Sequence, residues 1–225
     1  LAGEPDILLL DDPMRNVDAK LRFEMRLELP TLLKDQHATV IYVTQDYKEA
    51  MALGDRIAVM NARGIEQTGA PSEIYLQPAN VEIARLFGDP VINLLDINPV
   101  EAEGGVQFNL SDVPVTVDVA HADVAGRDCT IGIRPEAIRF VEADAPGAIP
   151  LRIETETPLN EKTVTLCLTR NGREVMVSRP AGTPGPAEGT GFIAIDANHV
   201  HLFDRATGKR ISAPQTTTAT TQGAA

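Results

Sequence analysis

An α/β segment followed by an all-β domain is the fold class the sequence predicts, and three observations predict it. Two continuous apolar runs, Ile7-Leu8-Leu9-Leu10 and Thr39-Val40-Ile41-Tyr42-Val43, have the unbroken hydrophobicity of buried parallel strands. Helical periodicity fills the interval between them, over roughly residues 19–35. After Pro90 the texture changes to short alternating runs divided by Gly, Pro, Asn and Asp, the pattern of a small barrel or sandwich.

Taken in order, the first run ends in Asp11-Asp12-Pro13, and the helix after it carries Leu21, Met25, Leu29, Leu32 and Leu33 as one apolar stripe. Pro30 lacks a backbone donor and its ring opposes the carbonyl of Arg26, so a kink or break is expected there. Beyond the second run, Asp46 has the character of a helix N-cap, with Glu49 three positions on as in a capping box. That helix runs to Leu53, where Gly54 is expected to supply a left-handed stop. Residues 56–60 and 65–68 read as short strands, and 72–76 and 81–87 as helical segments. In the β-rich part, strands are expected at about 105–110, 113–118, 129–133, 149–156, 162–169, 173–178, 191–195 and 199–203, with a loop at 181–189. The domain boundaries that follow are 1–89, 90–212, and a Thr/Ala/Gln/Gly-rich tail over 213–225 expected to be disordered.

Composition narrows the function. The formal net charge is −12. Residues 1–89 hold 9 Lys/Arg against 15 Asp/Glu, and the remainder holds 11 against 17, so each part is at −6 and neither is basic. A nucleic acid or an anionic membrane surface requires a basic face, and both are thereby set aside as partners. No run reaches the roughly 18 apolar residues of a membrane helix, and the N-terminus has neither the basic nor the apolar region of a signal peptide. The sequence does not begin with Met, so Leu1 is expected to lie inside a longer protein. Cys129 and Cys167 sit far apart in apolar surroundings and are expected to be reduced core residues.

The first candidate chemistry lies where the first strand ends. A buried strand delivers Asp11 at its C-terminal end, where ligands bind in open α/β sheets. A carboxylate there can hold Mg²⁺ through water, and the next acid can face an attacking water. Taken alone the pattern is equally that of a turn or helix cap, but it does not stand alone. Asp11-Asp12-Pro13 is followed by Asn16-Val17-Asp18-Ala19-Lys20-Leu21-Arg22, then by Ile41-Tyr42-Val43-Thr44-Gln45-Asp46, Glu49-Ala50-Met51 and Asp55-Arg56-Ile57. Gly69-Ala70-Pro71-Ser72-Glu73-Ile74-Tyr75 and Pro78-Ala79-Asn80 come next, and Gly132-Ile133-Arg134-Pro135-Glu136 and His201-Leu202-Phe203-Asp204 later. In this order the segments resemble the ATP-binding subunits of ABC importers, in the carbohydrate-importer branch related to the maltose transporter ATPase, over nearly the whole chain.

The resemblance implies a partial P-loop NTPase (ABC ATPase) domain followed by an OB-like TOBE regulatory domain. By position, Asp11 would act on Mg²⁺ as the Walker B aspartate, and Asp12 would stand as the catalytic base, normally Glu. Asn16 and Asp18 would belong to the D-loop that crosses to a partner subunit, and Gln45 would occupy the switch position, normally His, that contacts the γ-phosphate. ATP and Mg²⁺ are the implied cofactors. The implied partners are a second ATPase subunit, membrane permease subunits and, indirectly, a solute-binding protein, at the cytoplasmic face of the inner membrane.

Three departures bear on the chemistry. Asp12 is one methylene shorter than Glu, Gln45 cannot carry a proton as His can, and Arg15 is bulky and charged where the D-loop usually has a small Ser. These departures also fit a non-hydrolysing regulatory or assembly subunit. No P-loop, G-x-x-x-x-G-K-[ST], is present: before Gly208-Lys209 the first Gly position holds Phe203, and Arg210 stands where Ser or Thr belongs. The signature motif and the Q-loop are likewise missing, so ATP binding by these residues alone is not expected. His199 and His201 fall two apart on one expected strand face but lack companions for a metal, and a turn at Asn198-His199 is the plainer reading. His37 and His121 read as solvated loop residues, Glu154 and Glu156 as a solvated strand face, and Arg134-Pro135-Glu136 as a conformational element.

Overall fold

A computed structural model describes residues 6–34, 38–103, 105–118, 124, 126–186 and 189–211. The expected tail and both His37 and His121 lie outside the described residues. The chain divides into two compact units, one up to Ala79 and one from Asn80 onward.

In the first unit, β1 (Ile7–Asp11) and β2 (Thr39–Val43) pair in parallel, with Ile7 opposite Thr39 and Asp11 opposite Val43. The parallel pairing is as expected, but burial on both faces is not found. Leu8, Leu10, Val40 and Tyr42 are half-buried, while Ile7, Leu9, Ile41 and Val43 share an exposed face. The sheet has two strands, and among the described residues nothing covers its second face.

The connection is α1 (Ala19–Lys34), which runs through Pro30 without a break. A mid-helix proline forfeits one backbone bond, and the remaining turns carry the helix past it. Its stripe is only half realised: Met25, Leu29 and Leu33 are half-buried, whereas Leu21 and Leu32 are exposed. The next helix is α2 (Tyr47–Leu53), and its stop at Gly54 is not left-handed. Gly54 has φ −83°, and its N–H donates to the Ala50 carbonyl. What excludes a side chain is space, since an added Cβ would lie 2.9 Å from that same oxygen. A hairpin of β3 (Ile57–Asn61) and β4 (Gly64–Gly69) and the helix α3 (Pro71–Leu76) complete the unit.

The second unit opens with α4 (Val81–Leu86), capped by Asn80, whose Oδ1 accepts from the Ile83 N–H at 2.9 Å. This helix packs with the β-rich part through Ala84, buried with Ile92 and Phe203, and through Arg134. The Arg134 side chain is 4% exposed, and its guanidinium donates to the carbonyls of Phe87 (2.5 Å) and Ala84 (3.5 Å). Carbonyls at a helix C-terminus lack intrahelical partners, and a cation there also meets the negative end of the helix dipole.

Eleven antiparallel strands follow. β5 (Asn93–Ile97), β6 (Val100–Ala102), β7 (Gly105–Leu110), β8 (Val113–Asp118), β9 (Cys129–Ile133) and β10 (Ile138–Val141) come first. Then come β11 (Ile149–Pro158), β12 (Lys162–Leu168), β13 (Glu174–Pro180), β14 (Thr190–Ile195) and β15 (Val200–Asp204). They form a five-stranded sheet in the order β10-β14-β11-β12-β13, and two of three strands, β15-β9-β5 and β6-β7-β8. Side chains from all three meet in one core that includes Leu95, Phe108, Val117, Ile131, Leu151, Val175, Ile193 and Leu202. Cys129 and Cys167 are buried there as free thiols, and burial pushes Cys167 up to about 11. The architecture is mostly β-strand with few helices. No helix among the described residues is long and apolar enough to cross a membrane.

Candidate functional site

Parallel pairing sets the site. Because β1 and β2 run in the same direction, both C-terminal ends fall on one edge, and the Asp12 N–H donates to the Val43 carbonyl at 2.8 Å. Asp11 and Asp12 therefore emerge beside Thr44-Gln45-Asp46. Asp11 is exposed and Asp12 half-buried. Asp12 has φ 43°, in the left-handed region that Asp tolerates better than most residues. Backbone bonds from Arg15 to Asp12 (3.2 Å) and from Val17 to Met14 (3.2 Å) then close a turn around buried Met14. Arg15 and Asn16 are exposed on this turn.

Asp18 does not stand free. Its Oδ1 accepts from the N–H groups of Lys20 (3.1 Å) and Leu21 (3.0 Å), making it the N-cap of α1. Gln45 is exposed, and the loop holding it is fixed from below. Asp46 caps α2 through Lys48 N–H (2.8 Å), as expected, but the capping box does not form. The Asp46 N–H goes to Thr44 Oγ1 instead (3.0 Å), and Glu49 turns inward. Glu49 is 2% exposed and accepts from Thr44 Oγ1 (2.8 Å) and the Tyr42 hydroxyl (3.0 Å). Burial, the bond to Glu49 and the negative charges of Glu49 and Asp12 push the Tyr42 phenol well above its ordinary range, against a smaller effect of Arg26. Tyr42 thus stays a neutral donor to the carboxylate.

Two arginines of α1 face these acids. Arg26 donates to Asp46 Oδ2 at 2.6 Å. Arg22 lies 3.9 Å from Asp46 Oδ2 and 3.9 Å from Glu49 Oε1, and it donates to the Val17 carbonyl at 3.0 Å. Sequence reasoning missed Arg22, Arg26, Thr44 and Glu49 as parts of this edge. The signal available was the spacing of Arg22 and Arg26, four apart and so on one helix face.

The described residues contain no group of three or more His, Cys, Asp or Glu able to hold a metal. The donor set thus fits Mg²⁺ only in part: Asp11 can give one carboxylate, with other ligands drawn from phosphate and water. The two histidines separate. His199 ends a 3-10 turn, Ala197–His199, and is exposed beside Asp196 (2.8 Å), whereas His201 is buried in β15, so they do not share a strand face. Glu156 is not merely solvated; it pairs with Arg179 at 2.7 Å.

With this geometry in hand, the chain is similar along nearly its whole length to the ATP-binding subunits of ABC importers. The relatives are sn-glycerol-3-phosphate import ATP-binding proteins UgpC. That of Salmonella typhi is 39% identical over 213 residues, and one from Escherichia coli is equally similar. That of Shigella boydii is 37% identical over 218 residues. Each match covers 94% of this chain and 58% of the relative, so the chain spans somewhat over half the length of the proteins it resembles. No family model matches the chain. Among solved structures, the cytoplasmic molybdate-binding protein ModG superposes with a TM-score of 0.38 at 10% identity, covering 49% of this chain and 94% of that one.

Proposed function

We propose that this chain is part of the ATP-binding, energy-coupling subunit of an ABC importer for a sugar or related solute, with residues after about 90 forming an OB-like TOBE domain. The observation that carries the reading is the parallel register of β1 and β2, which brings Asp11-Asp12 and Thr44-Gln45-Asp46 to one strand-end edge. When bound, Mg-ATP would supply the phosphoryl group and the divalent charge. Asp11 would hold a water-bridged cation, Asp12 would orient water, and Gln45 would offer its amide to a phosphate oxygen. Asn16 and Arg15, exposed on the turn after Asp12, would meet a partner subunit, while Asp18 serves the same seam indirectly by starting α1. In a peripheral subunit at the cytoplasmic membrane face, permease and binding-protein partners would select the solute.

The short Asp12 and the unprotonatable Gln45 favour a second reading, a regulatory subunit that binds nucleotide without turning it over. Calorimetry and ATPase assay with Mg-ATP test both on the complete gene product beside residues 1–225. Turnover by the complete product and no micromolar binding by residues 1–225 is the expected result. Binding without turnover supports the regulatory reading, and micromolar binding by residues 1–225 overturns the placement of the site.

A further inference from the structure

We propose that Arg22 is a positioning residue that ties the turn after Asp12 to the loop bearing Gln45, so that the two parts of the strand-end edge keep one spacing. The inference rests on the ATPase reading for its catalytic consequence and on the geometry alone for its mechanical one.

The guanidinium spans both sides of the edge, by a hydrogen bond on one and at ion-pair distance on the other. Nη2 donates to the carbonyl of Val17, the last residue of the turn that begins at Asp12. Nη1 and Nε lie 3.9 Å from carboxylate oxygens of Asp46, the cap of α2 next to Gln45, and of Glu49 in its first turn. Those acids in turn hold the loop: Asp46 starts α2, and Glu49 grips the Thr44 hydroxyl, which accepts the Asp46 N–H. A displacement of the turn is thereby passed through one side chain to both residues that bracket Gln45.

Arg26 provides the internal comparison. One helical turn further on, it makes the shorter bond to Asp46 (2.6 Å) but touches nothing in the turn after Asp12 among the described contacts. It anchors α2 to α1, whereas Arg22 joins both segments. The residue type also matters. A planar fork can donate to a carbonyl from one nitrogen while its other two keep the charge 3.9 Å from two carboxylates, whereas a lysine ammonium is a compact charge on a flexible stem. Glu49 adds the energetic reason for a cation, because a carboxylate this deeply buried is costly without one nearby.

Hydrogen exchange by mass spectrometry on the complete gene product is the test, with Arg22→Ala, Arg22→Lys and Arg26→Ala. Arg22→Ala is expected to speed exchange about tenfold in peptides covering both 12–18 and 44–50. Arg26→Ala should loosen 44–50 alone. Arg22→Lys retains the charge and the fold, and should release 12–18 while 44–50 stays near wild type. In steady state, Arg22→Ala should lower kcat by roughly 10- to 100-fold at unchanged nucleotide affinity, the scale of a misplacement near 1 Å. Exchange that rises only in 44–50, or in neither segment, overturns the tether, and so does an Arg26→Ala variant that loosens both. A wild-type product without ATPase activity defeats the functional reading, while the exchange pattern still decides whether Arg22 joins the two segments.

Discussion

His201 gives the β-rich unit a pH dependence that can be worked from its surroundings. The side chain is 6% exposed in β15, its ring 6.3 Å from that of Phe203, and its buried Nδ1 has no hydrogen-bond partner. Burial, followed by the positive charges of Arg210, Arg134 and His199, lowers it from 6.5 to about 4. A folded-state value below the unfolded one means that the unfolded chain takes up a proton first as pH falls. Stability is therefore fully present above about pH 6.5, is lost between there and about pH 4, and levels off below. Linkage with these two values gives a loss of about 2 kcal/mol between pH 7 and pH 5. The substitution His201→Leu removes the proton site without stranding a partner. The β-rich unit has neither Trp nor Tyr, since the three tyrosines are Tyr42, Tyr47 and Tyr75. Urea unfolding of that unit is accordingly followed by far-ultraviolet circular dichroism, with tyrosine fluorescence reporting the first unit separately. The difference between the two pH slopes reads the contribution of His201. Equal slopes from pH 7 to pH 5 would refute the assignment.

Three further outcomes are expected. Asp18→Ala should cost the first unit about 1 kcal/mol by removing the cap of α1, read as a lower urea midpoint in tyrosine fluorescence, whereas an Asp18 engaged solely across a subunit seam would leave that midpoint unmoved. A β-domain piece beginning at residue 80 should be more stable than one beginning at residue 90, because the shorter piece loses the bonds of Arg134 to the Ala84 and Phe87 carbonyls and the packing of Ala84 on Ile92 and Phe203, a loss of roughly 1.5–3 kcal/mol or more; equal midpoints would show that α4 is dispensable. The double variant Asp12→Glu, Gln45→His in the complete gene product should raise turnover by up to roughly 10²-fold at similar nucleotide affinity, since Asp12 stops about one C–C bond short. It should also lose up to about 1 kcal/mol of stability, because Glu lacks the tolerance of Asp for φ 43°; an unchanged turnover would mean the site works with Asp and Gln.

The parallel strands were legible because an apolar run of this kind has few other uses, but their open face was not. Hydrophobicity reports what a strand can bury, and the number of strands beside it decides what it does bury. Helix ends were read correctly in place and incorrectly in mechanism. At Asp46 the spacing to Glu49 fits a capping box, yet Thr44 takes the same donor and Glu49 finds better partners in Tyr42 and Thr44. At Asp18 the short-range cap chemistry was readable but stood behind a longer-range resemblance. Strands β6 and β10 escaped notice because three and four residues are too few for alternation to declare itself, and β5 because its buried positions include Asn93 while two leucines stand side by side. The shared strand face expected of His199 and His201 presumed one unbroken strand, and the backbone changes from 3-10 to extended between them, with His199 in the turn that was the plainer reading.

The grip of Arg134 on α4 is made to main-chain oxygens, and every amino acid supplies those. Substitutions at the exposed positions Glu82, Arg85 and Leu86 can therefore accumulate without loosening the clasp, as long as the helix still ends where it does. A mutation of Arg134, by contrast, removes both of these bonds at once. The constraint surfaces one step further on, at Gly88, where an added Cβ would lie 2.9 Å from the Arg134 guanidinium. Among homologues, variation should then run through the exposed positions Glu82, Arg85 and Leu86 and stop at the buried Ile83, Ala84 and Phe87 and at a glycine and an arginine 46 positions apart.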